Sequence, residues 1–293
     1  MAKSSGTGAT FTLSAFGDEI DADLNAQLEL LSELDIGYLE LRSAWDTNVQ
    51  KLDDAQVTAI SEACRRHSVE VSCIGSPIGK SPITDPLETE LANLDRIFQI
   101  AEALGTDKVR LFSFYPPEQA GDGGADQYLD EAVSRLSRMA RDAEQRGITL
   151  LMENESGLVG DGPERCLAIL KAVDSPSLRF VWDTANFVHA GFERPTDNAW
   201  PLLSSYLVYV QVKDYRMSDQ TMYPAGEGDG QVPELLAKLR DNAYRGFLAL
   251  EPHLVTAGQR GGFSGTDGMR RAVSALRGLM ADAGCVEVKT SPS

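Results

Sequence analysis

The sequence predicts an α/β protein of the (β/α)₈ barrel class, and three observations carry that expectation. From Thr10 onward, short runs rich in Val, Ile, Leu, Phe and Tyr alternate with longer amphipathic stretches, eight times in 293 residues. No Pro/Gly/Ser-rich linker divides the chain. The first strand-to-helix turn, FGDEI, holds only Gly17, where a doubly wound nucleotide-binding sheet would carry a glycine-rich turn.

The expected strands cover residues 11–16, 36–42, 69–75, 108–114, 148–154, 178–183, 206–214 and 246–252. Each is followed by a helical stretch. Residues 22–34 carry Leu24, Leu28 and Leu31 at helical spacing, and 53–67 open with the acidic first turn that a helix dipole favours. Stretches 87–104 and 127–146 run into Gly105 and Gly147, the usual residue type after a helix C-terminus. Segments 163–173, 200–205, 233–241 and 267–283 complete the set. Residues 1–9 read as a loose tail without an apolar signal-peptide core, 10–285 as a single catalytic barrel, and 286–293 as a C-terminal tail.

Composition narrows the partners. With 44 acidic against 27 basic side chains the formal charge is -17, which opposes binding to nucleic acid or to an anionic membrane. No apolar run approaches a membrane span. The cysteines Cys64, Cys73, Cys166 and Cys285 form no CxxC pair and read as reduced and structural. The expected setting is cytoplasmic.

The strand ends hold the chemistry. LLMENES, residues 150–156, is an apolar run that stops at Glu153; RFVWD stops at Asp183 and FLALE at Glu251. In a closed barrel these ends converge with Gln211, giving three carboxylates and an amide oxygen, a hard donor set suited to Mg²⁺ or Mn²⁺. Without a cation, such carboxylates would repel one another and retain protons. Lys213 has two placements, against Asp214 or inside the site as an acid. His253, two residues past Glu251, sits at the mouth in a proton-transfer or substrate role. Arg42 and Arg110 pair with Glu40 and neighbouring acids or hold substrate. His67 and His189 are assigned to structure, with His189 near enough to line the mouth. The GEGDG segment, residues 226–230, reads as a tight loop rather than a phosphate cradle because its own Glu227 and Asp229 disfavour an anion. Residues 257–265, AGQRGGFSG, read as a segment that closes over the mouth. The apolar Phe187, Val188 and Phe192 near the mouth serve either a partner or a substrate.

From FGDEI through ELRSAW, SCIGSPIGK, LLMENE, WDTANF, VQVKDY, PAGEGDGQVPELL, LEPH and GGFSG, the chain resembles the sugar phosphate isomerase/epimerase group of xylose isomerase-like TIM barrels. The resemblance implies one divalent ion, Mn²⁺ first and Mg²⁺, Co²⁺ or Zn²⁺ otherwise, held at Glu153, Asp183, Gln211 and Glu251, with the two glutamates moving a proton beside a carbonyl. Two positions depart from it. Gln211 stands where the family's HVKD-type strand has His, as in some dehydratase members, and Asn186 stands where epimerases often carry His.

The expected activity is therefore metal-dependent proton abstraction next to the carbonyl of a keto-sugar or related polyol, as an isomerase or epimerase. His253 or Lys213 is the auxiliary acid, and Glu40, Arg42, Arg110 and Asn186 bind substrate. The alternative is a lyase eliminating a β-leaving group from a 3-oxo-glycoside, an inosose or a similar ketone. A non-catalytic sugar-binding barrel, or a subunit of a complex, is the further alternative. An endonuclease of this superfamily would need a histidine-rich metal cluster and a basic surface, against three histidines and a charge of -17 here. A homo-oligomer or a hetero-complex fits such barrels.

Overall fold

Eight parallel strands form the structure's centre: Thr10–Phe16 (β1), Tyr38–Leu41 (β2), Glu70–Ile74 (β3), Lys108–Leu111 (β4), Thr149–Glu153 (β5), Leu178–Asp183 (β6), Leu207–Val212 (β7) and Arg245–Leu250 (β8). The computed structural model describes residues 9–117, 124–254 and 264–289. Each strand pairs with the next in sequence order, and β8 returns to β1 in a register running from Thr10 opposite Arg245 to Ala15 opposite Leu250, which closes the barrel. Residues 286–287, expected within a C-terminal tail, add a short parallel strand beside Thr10 and Phe11.

The surrounding helices are Leu24–Glu33 (α1), Asp54–His67 (α2), Leu87–Leu104 (α3), Leu129–Arg146 (α4), Pro163–Val173 (α5), Asn186–His189 (α6), Pro195–Leu203 (α7), Val232–Asp241 (α8) and Gly265–Asp282 (α9). Asp53 starts α2 with a capping box: its side chain accepts from the Gln56 amide while the Gln56 side chain accepts from its own. The outer core lies between helices and barrel, where Leu28, Leu31, Phe98, Leu136, Ile169 and Leu276 are fully or nearly fully buried.

Several expected boundaries shift for identifiable reasons. The helix expected at 200–205 is α7, and it begins at Pro195, whose fixed φ suits a first helical turn. The short helix α6 was not expected; Asp183 Oδ1 accepts from the Ala185 and Asn186 amides and so nucleates that turn. The fourth strand ends at Leu111 rather than at 114, because Phe112 and Phe114 turn their amides to the carbonyls of Ile78 and Gly79. Gly79 is required there: its φ is +80°, and a Cβ would come within 2.1 Å of Phe112 O. Phe187 and Val188 are buried, and Phe187 lies in an aromatic cluster with Phe180, Trp182 and Phe192, so the expected apolar mouth patch is largely core. The expected N-terminal tail, apart from buried Ala9, and most of the AGQRGGFSG segment lie outside the described residues.

Candidate active site

The barrel interior is filled in layers, and the alternation of strand side chains generates the site. Leu151, Val181, Tyr209 and Ala249 form an inner apolar cluster with Cys73. Two residues further along the same strands, on the same face, come Glu153, Asp183, Gln211 and Glu251. The period that buries the apolar layer therefore aims the polar one inward, at the C-terminal end where the strands stop. Asp183 on β6 lies in register with Gln211 on β7.

Glu153, Asp183 and Glu251 are buried and each offers an oxygen within 4.8 Å of the others', a group able to hold a metal ion. Lys213 takes the inward placement, with Nζ 3.0 Å from Asp183 Oδ2 and 3.1 Å from Glu251 Oε2. Arg110 Nη1 is 3.2 Å from Glu153 Oε2, and Asn186 Nδ2 donates to Glu153 Oε1 at 2.8 Å. Gln211 Nε2 donates to Glu40 Oε1 at 2.8 Å, leaving Gln211 Oε1 buried without a hydrogen-bond partner. An orphaned amide oxygen in the carboxylate layer, together with an excess of buried acid, fits a hard divalent cation held by Glu153, Asp183, Gln211 and Glu251.

The two glutamates are driven in opposite directions. Burial pushes Glu153 up to about 8, with Glu251 and Asp183 adding to the rise and Arg110 and Lys213 opposing it. Burial acts on Glu251 the same way, but Lys213, His253, Arg42 and Arg110 outweigh it and hold this carboxyl well below its ordinary value. Burial also raises Asp183, and it brings Glu40 to about 7. Burial opposes charge on Lys213, yet Asp183, Glu251 and Glu153 keep the ammonium protonated.

A second tier surrounds this cluster. Arg42 spans Asp18 Oδ2 at 2.7 Å, Glu19 Oε1 at 3.0 Å and Glu251 Oε1. Glu19 accepts from His253 N, from Ser264 Oγ and from Arg42, and its Oε1 lies 2.7 Å from His253 Nδ1. His253 Nε2 lies 3.5 Å from Glu251 Oε1, and its backbone is left-handed, with φ 48°. Glu40, Arg42, Arg110, Glu153, Asp183, Asn186, Gln211, Lys213, Glu251 and His253 are thus linked in one network at the mouth, and Asp18, Glu19, Lys80 and Glu155 join them. The FGDEI turn already displayed the first two; nothing in the sequence signalled their contact with the last strand. His189 lines the cavity beside Lys80, Met222 and the carboxylates. The GEGDG amides serve the chain itself, since those of Gly226, Gly228 and Gly230 donate to the Asp214 carboxylate.

Fold and site together define a closed (β/α)₈ barrel with a metal-competent carboxylate cluster at the C-terminal face. The chain belongs to the xylose isomerase-like TIM barrel family, which it matches over residues 28–279. A D-tagatose 3-epimerase-like protein superposes with a TM-score of 0.73 at 21% identity, over 94% of this chain and 98% of that one. The IOLI protein with a bound zinc atom gives a TM-score of 0.73 at 14% identity, covering 93% and 98%. The probable 3-DHS dehydratase AsbF from Bacillus anthracis gives 0.70 at 18%, covering 92% and 98%. An uncharacterized protein, MJ1311, from Methanocaldococcus jannaschii is 29% identical over 128 residues, which is 43% of this chain and 44% of that relative, so the match spans less than half of the relative's length. No helix among the described residues is long and apolar enough to cross a membrane.

Proposed function

We propose that the protein is a divalent-metal-dependent enzyme that abstracts a proton from the carbon next to the carbonyl of a keto-sugar or related polyol, acting as an isomerase or epimerase. The observation that carries this reading is the buried triad of Glu153, Asp183 and Glu251, with oxygens within 4.8 Å of one another at the open end of the barrel. Mn²⁺ suits the all-oxygen donor set formed with Gln211, ahead of Mg²⁺, Co²⁺ or Zn²⁺. When bound, such an ion polarises a carbonyl and offsets negative charge developing on its oxygen.

The chain supplies the proton chemistry. Glu153 and Glu251, buried with oxygens within 4.8 Å of one another, form the carboxylate pair that takes the proton from the substrate carbon and returns it. His253 or Lys213, both against Glu251, serves as the auxiliary proton donor to a substrate oxygen. Asn186 fixes the Glu153 carboxylate by its 2.8 Å hydrogen bond, and Arg42 does the same for Glu251. Arg42, Arg110 and Asn186 line the cavity as substrate contacts, whereas Glu40, hydrogen-bonded to Gln211, contributes to the reading by orienting that amide.

Reprotonation at a different carbon gives isomerisation, and on the opposite face epimerisation. Incubation of the Mn²⁺-loaded protein with keto-sugars in D₂O tests this: deuterium at the α-carbon without a released group supports it, and no exchange with any keto-sugar overturns it. Gln211 and Asn186 favour a second reading, since amides occupy both positions where the epimerase resemblance calls for His. In that reading the same proton abstraction expels a β-substituent from a 3-oxo-glycoside or an inosose, and stoichiometric release of aglycone or water is its signature.

A further inference from the structure

We propose that Glu155, through its ion pair with Lys80, is a specificity-determining residue that makes the mouth accept an uncharged keto-polyol and reject the phosphate ester of the same sugar. This rests on the activity proposed above and concerns which substrates that site admits.

The cavity over the triad measures about 310 Å³, and Lys80 and Glu155 both line it. Lys80 Nζ lies 2.6 Å from Glu155 Oε2 and 4.3 Å from the centre of the Phe112 ring, so a buried aromatic face and a carboxylate hold the ammonium in place. Among the described residues the pair is the most exposed ion pair lining the cavity: its side chains are 35% and 24% exposed, against 19% for Arg42 and 6% each for Arg110 and Lys213. Those three deeper cations already face Asp18, Glu19, Glu153, Asp183 or Glu251.

A sugar whose carbonyl points at the triad directs its far end outward, toward this pair. Lys80 by itself would be a point cation matched to a terminal phosphate. With Glu155 against it, its charge is compensated locally, and a phosphate there would meet a carboxylate at ion-pair distance. For a hydroxyl the same pair is favourable, because the ammonium donates and the carboxylate accepts. Ser156 and Asn186, uncharged and hydrogen-bonding, line the same cavity.

The test compares wild type, Glu155→Gln, Lys80→Met and the double variant. Deuterium exchange by the Mn²⁺-loaded proteins is measured with D-fructose and D-fructose 6-phosphate, and affinity for inorganic phosphate is measured on the same proteins without added metal. Wild type is expected to favour the neutral sugar at least tenfold in kcat/KM. Glu155→Gln is expected to narrow that preference and to bind phosphate at least fivefold more tightly, a gain that the double variant loses. A wild-type preference for the phosphate ester, or unchanged phosphate affinity in Glu155→Gln, overturns the proposal. If wild type exchanges deuterium into neither sugar, the proposed activity fails for these substrates and the phosphate comparison alone decides the role of Glu155.

Discussion

Glu153 and Glu251 lie on the same inner layer and differ in what surrounds them, and that difference is what gives them separate proton affinities. Glu251 faces Lys213, Arg42 and His253, whereas among the described residues Arg110 is the one cation in contact with Glu153. Replacing either by Gln removes a proton carrier and the negative charge of a ligand together, so each variant is expected to lose about 10²–10⁴-fold in deuterium exchange while keeping a wild-type circular dichroism spectrum. Wild-type exchange in both variants would show that the base lies elsewhere. A cation also has to displace protons from this cluster. With Glu153 raised to about 8 and Asp183 raised as well, Mn²⁺ binding is expected to release protons below pH 8 and to tighten as pH rises, by about tenfold per pH unit for each proton released. Calorimetry in buffers of different ionisation heat measures this directly. A heat independent of buffer, with constant affinity from pH 6 to 8, would contradict it.

Each element places its functional residue by a local device, and some of those devices are visible in the sequence while others are not. The apolar runs that end in Glu153, Asp183 and Glu251 are legible because strand period and burial are local properties. The turn after β6 is not: α6 forms because Asp183 accepts two amides ahead of it, so one carboxylate both starts a helix and faces the site. The loop after β7 is built similarly. Asp214, fully buried, accepts from the amides of Tyr215, Gly226, Gly228 and Gly230, which ties a hairpin and the GEGDG segment to the residue next to Lys213. Asp214→Ala leaves those donors without their acceptor and is expected to lower stability by about 3 kcal/mol, read by urea unfolding. A loss under about 1 kcal/mol would mean that the loop finds other acceptors.

The whole barrel concentrates acid at one end, and its stability should report that. Glu40 and Glu153 have folded pKa values of about 7 and about 8, above the ordinary 4.5, so the native state holds protons that the unfolded chain has already lost. Stability of the metal-free protein therefore falls as pH rises from about 4.5 through about 8. His253, raised by Glu251 and Glu19 against the effect of burial, acts in the same direction above its ordinary 6.5. Glu251 and Glu19 have lowered values, so their stabilising contribution is present above 4.5 and lost in acid. The expected outcome is a Tm in chelator that declines between pH 5 and 8, and a decline that saturating Mn²⁺ abolishes. A chelated protein whose Tm rises over that range would refute the excess of buried acid.

By itself the sequence determined the strands, most helix limits and the polar residues that close the strands, because hydrophobic period, helix capping and apolar runs are written within a few residues of one another. It left Lys213 between two placements and, although Glu19 and Glu155 stand at strand ends in FGDEI and LLMENES, it assigned neither of them a partner. Only the tertiary structure decided those, since Arg42 and Glu251 are 209 residues apart and Glu19 and His253 are 234 apart. Such pairs meet because the eighth strand bonds to the first, and ring closure is a property of the complete sheet that no local stretch of sequence carries.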